Sequence, residues 1–374
     1  MLPVEIIEEC LDNLVDKASL AVCARAHSSF AYICQRRLFS DITICTSSDE
    51  GLKLLLLALE LSPHLGTYVH RANFIGDPQA SDLATTHLLP SILDRLTALR
   101  SLSGRAGVFK PATQTALANV LRQPTLESLC LDMSVDFPFH LIRAPSLKHL
   151  TLIDASESGG TPLLMSTSGQ LRLRTLRLQA TKRVVLRRAG SWIMSEQLDL
   201  SGLRALMLDP DCLRPEDSQK LLRTAAQSLQ VLAVLPHTVN EQGPEHILSI
   251  IANLPFALPS LHTLVLHTTK ASSGFAPGFI PYSFDFNPSK FLDIRLTDRK
   301  DTFPALREVV LIPYKSSDGL EKAADDDAWW KFDDADKDVR ERLVTLKHRV
   351  FKASMPRCAV AGIRRDALTR KWDF

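Results

Sequence analysis

The sequence predicts an α/β fold in which parallel strands recur along the chain, each reached through a helical spacer. Three observations carry that prediction. A short pattern, L-x-x-L-x-L, is repeated many times, as in Pro145-Ser-Leu-Lys-His-Leu-Thr-Leu152. Its last three positions alternate apolar, other, apolar, as a strand with one buried face must. The copies stand about thirty residues apart on average, which is room for one strand and one helix per repeat.

The clear copies are Pro124-Thr-Leu-Glu-Ser-Leu-Cys-Leu131, the one at 145–152, Leu173-Arg-Thr-Leu-Arg-Leu178, Leu203-Arg-Ala-Leu-Met-Leu208, Leu229-Gln-Val-Leu-Ala-Val234, Pro259-Ser-Leu-His-Thr-Leu-Val-Leu266 and Pro304-Ala-Leu-Arg-Glu-Val-Val-Leu311. Weaker ones begin at Val69 and Leu99. The strands expected from them are 128–132, 149–153, 175–179, 205–209, 231–235, 263–267 and 308–312. Their uneven spacing makes the array an irregular leucine-rich-repeat solenoid over residues 46–313 rather than an ordinary α/β sheet, with helices on its convex side.

From the N-terminus, residues 1–45 differ from the repeats. Ile6, Ile7, Cys10, Leu11 and Leu14 make one apolar helical stripe, with Glu5, Glu8, Glu9 and Asp12 on the other face. Pro3 and the acids suit the first turn. A second helix is expected over 17–26 and a third over 28–37 with Phe30, Ile33 and Cys34 inward. Forty residues bury little core unaided, so such a module leans on something else.

The spacers follow. Ser47-Ser-Asp-Glu50 reads as a capping box opening a helix to Leu61. Helices are also expected over 81–96, 111–121, 215–226 and 244–254, three of them opening on proline. The spacer between Leu131 and Pro145 is too short for a full helix. The stretch 267–303 combines glycines and prolines with Phe275, Phe279, Tyr282, Phe284 and Phe286, which predicts an ordered loop insertion. Residues 314–374, acidic and then helical over 339–353, are expected to cap the array.

The order Leu2-Pro3-Val4-Glu5-Ile6-Ile7, then Ser19-Leu20-Ala21-Val22-Cys23, then Phe30, then Arg36-Arg37-Leu38-Phe39 resembles an F-box. It is most similar to the version that opens many fungal F-box proteins with irregular leucine-rich repeats. The chain departs from that pattern where Arg25-Ala26-His27-Ser28-Ser29-Phe30 replaces Leu-Val-Cys-Arg-x-Trp. The resemblance implies a non-catalytic substrate receptor whose first forty residues bind the Skp-type linker of a cullin-RING ubiquitin ligase. Leu2, Pro3, Ile6, Ile7, Leu20, Val22 and Phe30 are then the linker contacts, and the solenoid holds a protein target.

Charge and motifs narrow the alternatives. Lys and Arg total 44 against 42 Asp and Glu, a formal +2, so nucleic acid and anionic membranes are not expected partners. Seven cysteines without C-x-x-C spacing read as free thiols in an intracellular protein. The acids of the first helix do not fit a secretory signal, and the run Leu52–Leu61 is too short to span a bilayer. Asp334-Ala-Asp-Lys-Asp338 starts like a calcium loop but has Val339 at the turn and Thr345 at the twelfth position. His149, His262 and His267 lack accompanying cysteines or carboxylates, so no metal and no cofactor is expected. No P-loop, dinucleotide fingerprint, G-x-S-x-G or H-E-x-x-H is present, which disfavours an enzyme. The rivals are a leucine-rich scaffold with no ligase link and an unrecognised hydrolase.

Strand phase locates the target face. In the N-terminal half it presents Arg71, Asn73, Ser101, Ser103, Ser128, Asp132, His149, Thr151, Thr175, Arg177 and Gln179, an ordinary solvated surface. In the C-terminal half it presents Ala205, Met207, Val231, Ala233, Leu235, Val265, Val310 and Ile312. An apolar patch of that kind does not sit open to water. It is expected to be either covered by the 267–303 loop or the tail, or the target-binding site itself.

Overall fold

The structure, a computed structural model, describes residues 4–12, 14, 16–45, 49–76, 85–105, 111–132, 137, 139–154, 171–179, 192–193, 198–209, 212–213, 215–234, 254–269, 302–314 and 364–367. It is α/β, with a large parallel sheet, several helices and no closed barrel. The chain divides into two compact units, Met1–Arg172 with Ser191–Leu198, and Leu173–Gly190 with Asp199–Phe374.

The first unit opens with three helices, α1 (Val4–Asp12), α2 (Lys17–Ala26) and α3 (Ser28–Ser40). Asp16 caps α2, its carboxylate accepting from the Ala18 and Ser19 amides at 3.0 and 2.7 Å. His27 ends α2 in an extended conformation and caps α3, its ring nitrogen accepting from the Ser29 amide at 3.1 Å. Ile7, Leu11, Leu20, Ile33 and Cys34 form the core of this module, with Leu14, Cys23, Ala24, Phe30 and Leu38 packed around them. The Arg37 guanidinium donates to the Leu11 carbonyl at the end of α1, which also accepts from the Leu14 amide at 3.0 Å.

The module runs straight into β1 (Asp41–Cys45), then α4 (Asp49–Leu61), α5 (Leu65–Tyr68), β2 (Arg71–Ile75), α6 (Thr85–Leu93), β3 (Ser101–Arg105), α7 (Pro111–Val120), β4 (Ser128–Asp132), β5 (His149–Ile153) and the short β6 (Leu171–Arg172). Strands β1 to β5 pair in parallel and in chain order. Register stacks Ile42, Ala72, Leu102, Leu129 and Leu150 in one row and Ile44, Phe74, Gly104, Leu131 and Leu152 in another. Apart from the partly exposed Ile42 and Gly104, these rows are buried. Helix α4 packs on α6 and α6 on α7, a helix layer that removes apolar strand surface from water. Between β4 and β5 the described residues include a 3-10 turn, Phe139–Leu141. Its Phe139 ring stacks on Trp192 at 5.2 Å.

Gly66 in α5 is required by close approach, because a Cβ there would run into the Arg95 carbonyl. Tyr68 meets Tyr32 of α3 edge-on at 5.7 Å, and α3 and α5 pack together, seating the helical module on the first strands.

The second unit holds β7 (Thr175–Gln179), then β8 (Leu198–Asp199) at the boundary, β9 (Ala205–Leu208), α8 (Pro215–Ala225), β10 (Val231–Val234), β11 (Thr263–Thr269), β12 (Glu308–Tyr314) and β13 (Arg364–Ala367). Here β7, β9, β10, β11, β12 and β13 pair in parallel in that order. Leu176, Leu206, Leu232 and Leu264 lie in one register row and all are buried.

One device recurs in both units. Before β4, β5, β9, β11 and β12 a tight turn closes on the first leucine of the pattern: Leu126 N–H donates to Gln123, Leu147 to Ala144, Leu203 to Leu200, Leu261 to Leu258 and Leu306 to Phe303. The proline of Pro-Ser/Thr/Ala-Leu occupies the second turn position, where its fixed φ is preorganised. In several copies the carbonyl just after the first leucine accepts two amides from the next copy. Glu127 takes Lys148 and His149 at 2.8 and 3.0 Å, Arg204 takes Gln230 and Val231 at 2.8 and 3.0 Å, and Gln230 takes His262 and Thr263 at 2.8 and 3.1 Å. Hydroxyls of the turns add further links, Ser146 to the Pro124 carbonyl and Ser260 to that of Gln227 at 2.6 Å.

Three expectations need correction. The first-helix stripe is two seams. Ile7 and Leu11 are buried and Leu14 partly so, while Ile6 and Cys10 stay exposed, because they lie about 100° around the helix from the inward row. Strand β1 was absent from the expected strands, since Asp41-Ile-Thr-Ile-Cys45 lacks the leucine pattern and adjoins the third helix. It pairs with β2 in full register and buries Ile44. Thr175, Arg177 and Gln179, expected in solvent, are all buried, and Arg177 Nη2 donates to Gln179 Oε1 at 2.7 Å. Both faces of β7 are covered, so its polar side chains pair within the protein instead of with water. The expected helices over 244–254 and 339–353, the 267–303 loop and the cap at 314–374 lie largely or wholly outside the described residues.

Candidate functional site

The linker contacts separate into two groups. Ile7 and Leu20 are buried in the module's own core and Phe30 is packed against it, so these three hold the helices together. Ile6 and Val22 are 44% and 58% exposed. Both project from helices whose inward faces are already filled, and Cys10, one turn beyond Ile6, is exposed beside it. Leu2 and Pro3 lie outside the described residues. The module therefore has a closed interior, with Ile6 and Cys10 on α1 and Val22 on α2 left exposed outside it.

The C-terminal apolar face is covered. Ala205, Met207 and Ala233 are buried, Val231 and Val265 partly so, and Met207, Ala233 and Val265 form a small cluster. Arg177, Met207, Ala233, Val265 and Val310 stand in one backbone register row across five strands. Leu235 lies outside the described residues, and of Val310 and Ile312 only the strand backbone is described. Sequence phase thus identified a real row, and the chain itself buries its middle.

The open strand face is in the first unit. Thr43, Asn73, Ser103, Cys130 and Thr151 share a register row, exposed or half-exposed, with Ser103 Oγ donating to Asn73 Oδ1 at 2.9 Å. Arg71 and His149 stand in the adjacent row. This face was read as ordinary surface. Its continuous polar character was legible in the alternation of the weak copies at 69 and 99.

A cavity of about 370 Å³ lies where the module meets the first strands, lined by Glu8, Ile33, Arg36, Arg37, Ser40 and His70. Ser40 and His70 share it, but the Ser40 hydroxyl donates to the Arg37 carbonyl at 2.8 Å. It is not set to pass its proton to the imidazole as an activated nucleophile requires. A second cavity, about 480 Å³, is lined by Leu59, Glu60, Pro63, Thr67, Arg95 and Thr97, and Glu60 is ion-paired with Arg95 at 2.9 Å. Among the described residues no cluster of three or more His, Cys, Asp or Glu is arranged to hold a metal. No described helix is long and apolar enough to cross a membrane.

Burial pushes the Cys34 thiol above its ordinary value, with the nearby Cys23 adding to the shift. The Glu127 carboxyl is held below its ordinary value, chiefly by the hydrogen bond from Lys148 at 2.9 Å. Compared with family models and with curated proteins, the chain matches none.

Proposed function

We propose that the chain is a non-catalytic substrate receptor, with the helical module of residues 1–45 docking a Skp-type linker of a cullin-RING ligase and a leucine-rich-repeat array holding the protein target. The observation that carries this reading is the exposed apolar pair Ile6 and Val22 on a three-helix module whose core is complete without them. The F-box-like order of residues 2–39 supplies the identity of the partner. Repetition supports the array: parallel strands in chain order, four of them (β4, β5, β11 and β12) entered through the same proline-type turn.

Target contact is assigned to the open strand face of the first unit, Arg71, Asn73, Ser103, His149 and Thr151. The face from Ala205 to Ile312 takes part only if its cover is displaced. Such a receptor contributes proximity, raising the effective concentration of target lysines near a charged conjugating enzyme.

A second reading is favoured by one observation, the packing of α3 on α5 and its direct run into β1. On that reading the module caps the open end of the strand array and has no partner. Pull-down with purified linker separates the two. The receptor reading expects capture by the wild type, loss with Ile6→Asp and Val22→Asp, and unchanged melting of both variants. A well-folded wild type that does not bind refutes it and leaves the capping scaffold.

A further inference from the structure

Helix α4 carries an apolar stripe that its own fold does not use. Leu52 and Leu59 are buried against the rest of the unit, and Leu55, Leu56 and Ala58 are half-buried. On the opposite face Leu54, Leu57 and Leu61 are 61%, 50% and 76% exposed. Their spacing of three and then four residues is the a/d spacing of a helix–helix seam. With Leu54 at a, Leu57 is d and Leu61 the next a.

The residues flanking this seam specify a partner. Lys53 and Glu60 both fall at g, one flank of the stripe, and Gly51 and Ala58 fall at e, the other flank. When two such helices pack antiparallel about a two-fold axis, each flank meets its own copy with the direction reversed. Lys53 of one chain then faces Glu60 of the other, twice, while the glycine and alanine flanks let the helices approach closely. Packed parallel, the charged flank would face the small-residue flank and no ion pair would form.

We propose that α4 is a self-association surface that binds the α4 of a second copy of this chain antiparallel, closing Leu54 and Leu57 against Leu57 and Leu54 of that copy. Lys53 is exposed, and Glu60 is held in place by its ion pair with Arg95 at 2.9 Å while remaining half-exposed. Its carboxylate therefore has room for a second cation. A single thirteen-residue helix offers less than the roughly 1,600 Å² of a standard stable interface, so the dimer is weak and concentration-dependent.

Sedimentation velocity of the full chain between low and high micromolar concentration tests this. The wild type shifts from monomer to dimer across the series. Leu54→Glu and Leu57→Glu, both at exposed positions and so tolerated by the fold, hold it monomeric. Lys53→Glu weakens association by about tenfold by setting like charges together, and the exchange Lys53→Glu with Glu60→Lys restores it. A wild type that stays monomeric throughout overturns the proposal. So does a dimer that survives Leu57→Glu, or a charge exchange that fails to recover what Lys53→Glu loses while its melting temperature matches that of the single variant.

Discussion

Replacing Leu150 by alanine tests the strand phase on which every face assignment depends. Leu150 is 1% exposed in β5, in register with Leu129 of β4, itself 1% exposed. The change removes three buried carbons, about 2.4 kcal/mol at about 0.8 kcal/mol each. A closely packed row does not collapse fully into the space, and the cavity raises the expected loss to about 3–5 kcal/mol. Lys148, two residues earlier, makes an ion pair with Glu127 at 2.9 Å, and both side chains are more than a third exposed. Lys148→Ala should therefore cost under about 1 kcal/mol. Thr151→Ala, on the opposite, half-exposed face, should be similarly mild. Urea denaturation followed by far-ultraviolet circular dichroism measures all three. Equal losses for Leu150→Ala and Lys148→Ala, or a Leu150→Ala loss below about 1 kcal/mol, would show that the buried and open faces are exchanged.

Met207→Asp puts a carboxylate into the cluster with Ala233 and Val265 and should destabilise by about 3 kcal/mol or more; a variant melting with the wild type would mean that this face reaches water. Gly66→Ala should lower the melting temperature, by about 1–3 kcal/mol equivalent, because the new methyl meets the rigid Arg95 carbonyl; an unchanged melt would contradict that contact. Iodoacetamide labelling read by peptide mass spectrometry should modify Cys10 and Cys45 in the native protein, and Cys34 and Cys212 only after unfolding. Glu127 has a folded pKa below its unfolded value, so its contribution exists above the unfolded carboxylate range and disappears as pH falls through the folded value. Glu127→Gln should thus cost a few tenths of a kcal/mol at pH 7, and less as pH falls below the ordinary carboxylate range, in paired urea titrations.

The repeat legible in the chain determined β4, β5, β7, β9, β10, β11 and β12 almost to the residue, because L-x-x-L-x-L encodes the period-2 alternation, whereas β6, β8 and β13 lack the pattern and were not expected. Pro124, Pro145, Pro259 and Pro304 announced the turns before β4, β5, β11 and β12 by local stereochemistry alone, and the three N-terminal helices followed from local caps and stripes in the same way. What the tertiary structure decided was where each apolar surface ends up. Ile6 and Ile7 are adjacent and chemically identical, yet one is core and the other exposed, because the position of α3 selects a single seam of α1. Arg177 and Gln179 look like surface residues and are buried, because both faces of β7 are closed to water. The leucine run of α4 looked uniform, and only packing against α6, β1 and α5 divided it into a used face and a free one. Local pattern fixes which residues share a face, since that depends on backbone geometry within a few residues. Whether the face meets water depends on contacts between segments tens of residues apart, which no local pattern contains.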